Sequence, residues 1–149
     1  MKEYKTNLPI LKFKYVQGTY NKRKISNSSE LSALFLEHFD KDTIGYQEQI
    51  IIMYLLNGKT LGVNYHSFGA TNASLVDIKQ VIAGALISGS DQIAIAHNHP
   101  SGETTPSRED INITLKLKDA CYIMGLKLLD HIIVTPDNNY YSFIDNDKL

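Results

Sequence analysis

Cysteine is almost absent from this 149-residue chain: Cys121 is the only one. No intrachain disulfide can form, which fits a reducing cytoplasm, and any bound metal must rely on histidine and carboxylate ligands. Long hydrophobic runs are missing too. The longest, Ile50 to Leu56, falls far short of the roughly 20 residues that cross a bilayer, so no membrane partner is expected. Met1-Lys-Glu-Tyr-Lys leads into no apolar segment of the kind a secretory signal carries. Internal repeats, low-complexity tracts and dividing linkers are also lacking, so residues 1–149 read as one domain.

What is present is a core and an uneven charge. Apolar residues make up 43% of the chain, enough to fold. Net charge is −1, yet residues 1–25 hold seven of the 15 Lys and Arg against a single acid, Glu3. Such an end is either a solvated strand, a partner-facing edge or a contact for nucleic acid.

Periodicity and punctuation divide the chain into strands and helices. Lys12 to Tyr20 alternates and predicts an early strand or hairpin arm. Asn27-Ser28-Ser29-Glu30 before LSALFLEHF predicts a capped helix of about ten residues. Gln49 to Leu56, QIIIMYLL, is apolar after its first position, the pattern of a strand covered on both faces. Asn57-Gly58 turns the chain, and Thr60 to His66 is the expected antiparallel partner. A second helix is expected with Ser74 as N-cap and Asp77 three residues on. Ile78, Val81, Ile82 and Ala85 form its apolar stripe, and Gly89 stops it. Gln92 to His97 reads as another buried strand. Arg108 to Met124 reads as a third helix ended by Gly125, with Ile113, Leu117, Ala120 and Met124 facing inward. Leu126 to Thr135 and Tyr140 to Ile144, either side of the turn Pro136 to Asn139, are the expected closing strands. The order β-α-β-β-α-β-α-β-β predicts an α/β fold, a central mixed sheet with helices on both faces.

Between the third helix and the strand before it stands HNHPSGETTPSRED, His97 to Asp110. Alternate strand residues share a face, so His97 and His99 can offer two imidazoles on one side, a good bite for a borderline metal such as zinc. Pro100-Ser101-Gly102 takes the chain off the sheet. Ser107-Arg108-Glu109-Asp110 is close to a capping box, and a cap alone would account for Ser107 and Asp110. The helix stripe decides between the readings. Asp110 precedes Ile113 by three and Leu117 by seven, so it projects to the same side. An inward carboxylate needs a partner, and a metal held by His97 and His99 would be one. Three ligands leave a fourth tetrahedral position for water, as in a catalytic rather than a structural zinc. Such a site needs a general base off the metal, at a strand end facing the same cleft. Glu48, immediately before the buried run and the only acid between Asp42 and Asp77, is the candidate. Ser101 reads as a turn residue and Cys121 as a core thiol. His131 reads as a strand histidine hydrogen-bonded inside the fold, with a supporting role behind a metal ligand as the alternative. His38 and His66 show no ligand spacing.

These residues carry a family likeness. The sequence resembles the JAMM (MPN+) metalloproteases, whose motif is an upstream Glu, then His-x-His, seven residues, Ser, two residues and Asp. His97-Asn98-His99, Pro100 to Pro106, Ser107, Arg108-Glu109 and Asp110 match it without a gap. HNHPSG, Leu129-Asp130-His131 and the closing Tyr141-Ser142-Phe143 look like the bacterial RadC-like branch. The likeness covers about residues 45–145 and is weaker over 1–44, where no Gly-rich counterpart of the RadC helix-hairpin-helix module is visible. The resemblance implies a three-layer α-β-α sandwich related to the cytidine deaminases. It implies zinc held by His97, His99 and Asp110, with Glu48 as general base passing a proton from water to the leaving amine. It also implies that Ser107 hydrogen-bonds the oxyanion. Deaminase chemistry itself is not expected: it needs His-x-Glu and Pro-Cys-x-x-Cys, and neither is present.

Two functions of different class follow. The first is a cytoplasmic zinc hydrolase of JAMM metalloprotease type acting on a peptide or protein substrate. The second is a nucleic-acid-associated protein, linked to DNA repair or replication, that uses the same fold and the basic residues 1–25; its mark would be binding that weakens steeply with salt. No oligomeric state is predicted.

Overall fold

Asn27 opens the first helix as its sequence predicts. In a computed structural model that describes residues 16, 18–19, 21–70 and 76–149, its side chain accepts from the Glu30 N–H at 2.8 Å. Helix α1 then runs Ser28–Leu36. Strands β1 (Glu48–Leu56) and β2 (Lys59–Ala70) form an antiparallel hairpin. Asn57 and Gly58 join them with φ of 51° and 74°, the paired positive values that a tight two-residue turn requires. Helix α2 (Ile78–Ser88), strand β3 (Gln92–Asn98), helix α3 (Arg108–Ile123), strand β4 (Lys127–Val134) and strand β5 (Tyr140–Ser142) complete the described chain.

The sheet order is β2-β1-β3-β4-β5. Only β3 and β4 run parallel, and α3 supplies the crossover that a parallel pair needs. β1 and β3 occupy the interior of the sheet, which explains their unbroken apolar runs. Ile51, Met53, Leu55, Ala94 and Ala96 pack with Leu31, Leu34 and Phe35 of α1. The alternate residues Ile50, Ile52, Tyr54, Ile93 and Ile95 pack with Val81 and Ala85 of α2 and Leu117 and Cys121 of α3. The result is the expected three-layer α-β-α sandwich with a mixed sheet. Each fully buried Ile or Leu contributes roughly 1.5–3 kcal/mol, so the two apolar layers hold the sheet between them. Tyr54 also crosses to α2, where its hydroxyl donates to the Val81 carbonyl at 3.2 Å. A β-carbon at Gly84 would stand 2.1 Å from that hydroxyl oxygen, which accounts for a glycine inside a helix.

Several boundaries differ from the sequence reading. α2 begins at Ile78 with Asp77 as N-cap, its carboxylate accepting from Lys79 N–H at 3.0 Å. The Asp77 N–H donates to His66 Nε2 at 2.9 Å, which fixes the chain there against β2. Ser74, the expected cap, lies outside the described residues, as does most of the strand expected over Lys12 to Tyr20. α3 buries Asp110, Thr114, Leu117 and Cys121. Ile113 and Ala120 are half-buried flanks, and Met124, the C-cap, is exposed together with Tyr122 and Ile123 of the last turn. The inward stripe therefore contains a polar residue, Thr114, that an apolar pattern cannot show. Among the described residues, no helix is long and apolar enough to cross a membrane.

Candidate metal centre

β3 delivers His97 to the middle of the sheet, between Ile50 of β1 and Ile133 of β4. With apolar neighbours on both sides the imidazole is 3% exposed. His99 continues the strand direction, its N–H donating to the Val134 carbonyl at 2.9 Å. The chain then leaves the sheet through Gly102, whose φ of 85° suits glycine. The Nε2 atoms of His97 and His99 lie 3.0 Å apart. Asp110, in the first turn of α3, places Oδ1 3.1 Å from His97 Nε2 and Oδ2 3.4 Å from His99 Nε2. One ligand atom from each of the three residues falls within 4.8 Å of the others. A tetrahedral centre with arms of about 2.0–2.2 Å has edges of about 3.3–3.6 Å, so the 3.0–3.4 Å approaches among these three side chains are of the size that a shared divalent cation requires.

Each donor is aimed by a partner behind it. His99 Nδ1 donates to the Glu103 carbonyl at 2.7 Å, which leaves its Nε2 for the centre. His97 Nδ1 stands 2.8 Å from His131 Nε2, and His131 Nδ1 stands 2.6 Å from the Thr114 hydroxyl. Asp110 Oδ2 accepts from both the N–H and the hydroxyl of Ser107 at 2.7 Å, while Ser107 Oγ accepts from the Asp110 N–H at 3.1 Å. The capping box expected from the sequence is complete. It does not compete with ligation, because Oδ1 remains turned toward His97.

The electrostatics follow from this closeness. Burial pushes the Asp110 carboxyl up, but the hydrogen bonds of His97, His99 and Ser107 and the charge of His97 outweigh it and hold Asp110 well below the ordinary carboxylate range. The bond to Asp110 raises His99 against the opposing effect of burial. Complete burial, reinforced by His97, holds His131 well below the usual imidazole value, so its ring is neutral.

Glu48 is the first residue of β1 and is half-buried. Ile50 pairs with His97, so Glu48, two residues earlier, lies at the end of β1 toward which His99 extends β3. Burial raises its carboxyl above the ordinary value, opposed by the nearby charges of His97 and His99 and reinforced by Asp110. The acid expected from sequence thus stands in the electrostatic field of the three donors.

Asn98, between the two histidines, was not singled out by the sequence. It is fully buried on the opposite face of β3. Its Oδ1 accepts from the Gln49 N–H at 2.6 Å, and its Nδ2 donates to the carbonyls of Ile44 and Gln47 at 2.7 and 2.8 Å. These bonds bracket Glu48 on both sides and tie its position to the strand that carries the histidines. Asn98→Ala takes the partner from one buried backbone N–H and two half-buried carbonyls, so unfolding free energy should fall by roughly 2–4 kcal/mol in denaturant titrations. The imidazoles stay on β3, so metal affinity of the folded protein should hold. Unchanged stability would remove this role.

Leu129-Asp130-His131 and the closing residues also find a use. Asp130 is buried and accepts from the His131 N–H at 2.7 Å, the Ser142 hydroxyl at 2.6 Å and the Ile144 N–H at 3.1 Å. It clamps β4 to β5 and to the chain beyond. Phe143 stacks on the His131 ring at a centroid separation of 4.7 Å and closes the back of the site. His38 bonds Tyr65 and His66 accepts from Asp77, both away from the centre. Cys121 is enclosed in the core, where burial pushes its thiol up to about 11, so it stays protonated and unreactive.

An α-β-α sandwich with His-x-His at the end of a central strand and Asp in the first turn of the next helix places the molecule among JAB-type α/β domains. The chain belongs to the RadC-like JAB domain family, whose model matches residues 25–149. The match includes α1, which the likeness over residues 45–145 had left out. The chain is 35% identical over 125 residues to a UPF0758 protein of Clostridium beijerinckii, covering 83% of this chain and 53% of that protein. UPF0758 protein SH1266 of Staphylococcus haemolyticus is 33% identical over 133 residues, 88% of this chain and 56% of its own length. UPF0758 protein CLL_A0562 of Clostridium botulinum is 42% identical over 90 residues, 59% of this chain and 39% of its own. The chain spans about half the length of the first two of these relatives.

Proposed function

We propose that the chain is a zinc-dependent hydrolase of metallopeptidase type that cleaves an amide bond, peptide or isopeptide. One observation carries the reading: two imidazoles at the end of β3 and a carboxylate from the first turn of α3 converge, and Glu48, at the head of the neighbouring β1, lies within their electrostatic reach. Three protein ligands and an open fourth position are the arrangement of catalytic rather than structural zinc.

His97, His99 and Asp110 would hold the ion, which would supply Lewis acidity and lower the pKa of the attacking water. Glu48 accepts the proton released as water attacks the carbonyl carbon. As the C–N bond breaks it returns that proton to the leaving nitrogen, so that one amide and one water give a carboxylic acid and an amine. The Ser107 hydroxyl turns from Asp110 Oδ2 toward the developing oxyanion. The Ser107 N–H keeps its bond to Asp110 meanwhile, so the cap survives the rotation.

The basic N-terminal end supports the nucleic-acid reading less well. Within Lys22-Arg23-Lys24, Arg23 is already engaged by Glu37 through two bonds of 2.7 and 3.0 Å.

The test is elemental analysis joined to an amide-cleavage assay on fluorogenic peptides and isopeptides. The purified protein should take up about one zinc per chain. Cleavage should vanish after chelation and return with zinc. A protein that takes up no zinc when offered it ends the proposal.

A further inference from the structure

His97 rests its second nitrogen on another imidazole rather than on a carboxylate or a peptide carbonyl. A chain of imidazoles can carry its hydrogens in either sense, and only one sense leaves His97 Nε2 bare for a cation. The hydrogens can be counted from the far end. Thr114 Oγ lies 2.6 Å from the Asp110 carbonyl oxygen and 2.6 Å from His131 Nδ1. Each of these short contacts needs a hydrogen. The carbonyl has none, and the hydroxyl has one. The Thr114 hydrogen therefore goes to the Asp110 carbonyl, and the contact with His131 is made by a hydrogen on Nδ1. The buried His131 ring bonds to Thr114 and His97, with no carboxylate among its partners in the described residues to hold a second hydrogen on it, so its Nε2 is bare and accepts from His97 Nδ1–H. Thr114 and His131 are each 1% exposed, so no solvent supplies a substitute hydrogen.

We propose that Thr114 and His131 are positioning residues that hold His97 in its Nδ1–H form, with the Nε2 lone pair turned toward the metal position. The device starts on the backbone of Asp110 itself, so the first turn of α3 both contributes one ligand and orients another on β3. Because the support is a neutral ring, His97 is a weaker electron donor than a carboxylate-backed imidazole, and an ion bound there keeps more of its Lewis acidity. The inference rests on the metal-site reading above, and its test separates the two.

The first arm uses metal-free protein labelled with 15N at histidine and reads long-range proton–nitrogen correlations. His131 should carry hydrogen on Nδ1 with Nε2 bare, and His97 should carry hydrogen on Nδ1. Hydrogen on His131 Nε2 overturns the proposal. The second arm measures zinc affinity by competition with a chromophoric chelator. Thr114→Val keeps the shape of the side chain but lets His131 reverse, so affinity should fall about 10–100-fold, while Thr114→Ser should stay within about threefold of the parent. Circular dichroism confirms that both variants are folded. Parental affinity in Thr114→Val refutes the proposal. A parent protein that binds no zinc refutes the metal-site reading instead and leaves the hydrogen positions in the metal-free protein to decide this one.

Discussion

Asp110→Asn should leave the protein folded and abolish the zinc binding proposed for it. The residue holds two positions at once, helix cap and candidate ligand, and this exchange separates them. An amide oxygen can still accept from the Ser107 N–H, now 2.7 Å from Oδ2, so the backbone half of the capping box survives. The lost charge at the helix N-terminus costs about 0.3–1 kcal/mol. The other amide position, facing His97 Nε2, carries hydrogens where a lone pair is needed. A four-ligand zinc site is worth about 10–16 kcal/mol, so one ligand carries on the order of 3 kcal/mol, which is over about a hundredfold in affinity. Ser107→Ala makes the opposite change: it removes the cap, should cost about 1 kcal/mol of stability and should leave the proposed zinc affinity unchanged. Chelator competition and thermal melts on the two variants read these effects separately. Zinc held by Asp110→Asn as tightly as by the parent would reduce Asp110 to a cap.

The donor set was legible because it is nearly local. His97, His99 and Asp110 fall within fourteen residues, and the strand before and helix after them are each marked by apolar pattern and caps. Glu48 was legible only as the acid at the head of a buried strand; its closeness to the site depends on β1 lying beside β3. What stands behind the donors was hidden for the same reason. His131 meets His97 because β3 and β4 pair in parallel, with His97 opposite Ile133, a register that a single sequence does not encode visibly. Thr114 lies on the inward face of α3, where an apolar count passes over it. Asn98 looked like the spacer of a His-x-His, yet alternation along β3 turns it to the other face, where its amide meets the backbone around Glu48. The error at Ser74 has a different cause: two cap-forming residues lay three apart, and the contact that selects Asp77 comes from His66 on another strand.

Glu48→Gln should keep zinc and lose turnover by about 10²–10⁴-fold, the range spanned by general acid–base catalysis. Glutamine fills the same volume at the head of β1 and touches none of the three donors' supporting bonds, so metal content and melting temperature should match the parent. Its amide cannot take a proton from water, so the loss belongs to kcat rather than to binding. The pH profile adds a second discriminator. Glu48 acts as a base only when ionised, so activity is lost as pH falls through its pKa. Burial holds that carboxyl up, so the decline should begin above the ordinary glutamate value of about 4.3. Loss of the metal at low pH would also lower activity on the acid side; metal content measured at each pH separates the two causes. The residual rate of Glu48→Gln should be flat wherever zinc is retained. Parental turnover in this variant, or an acid limb that follows zinc loss alone, moves the proton-transfer role away from Glu48 while leaving the donor set untouched.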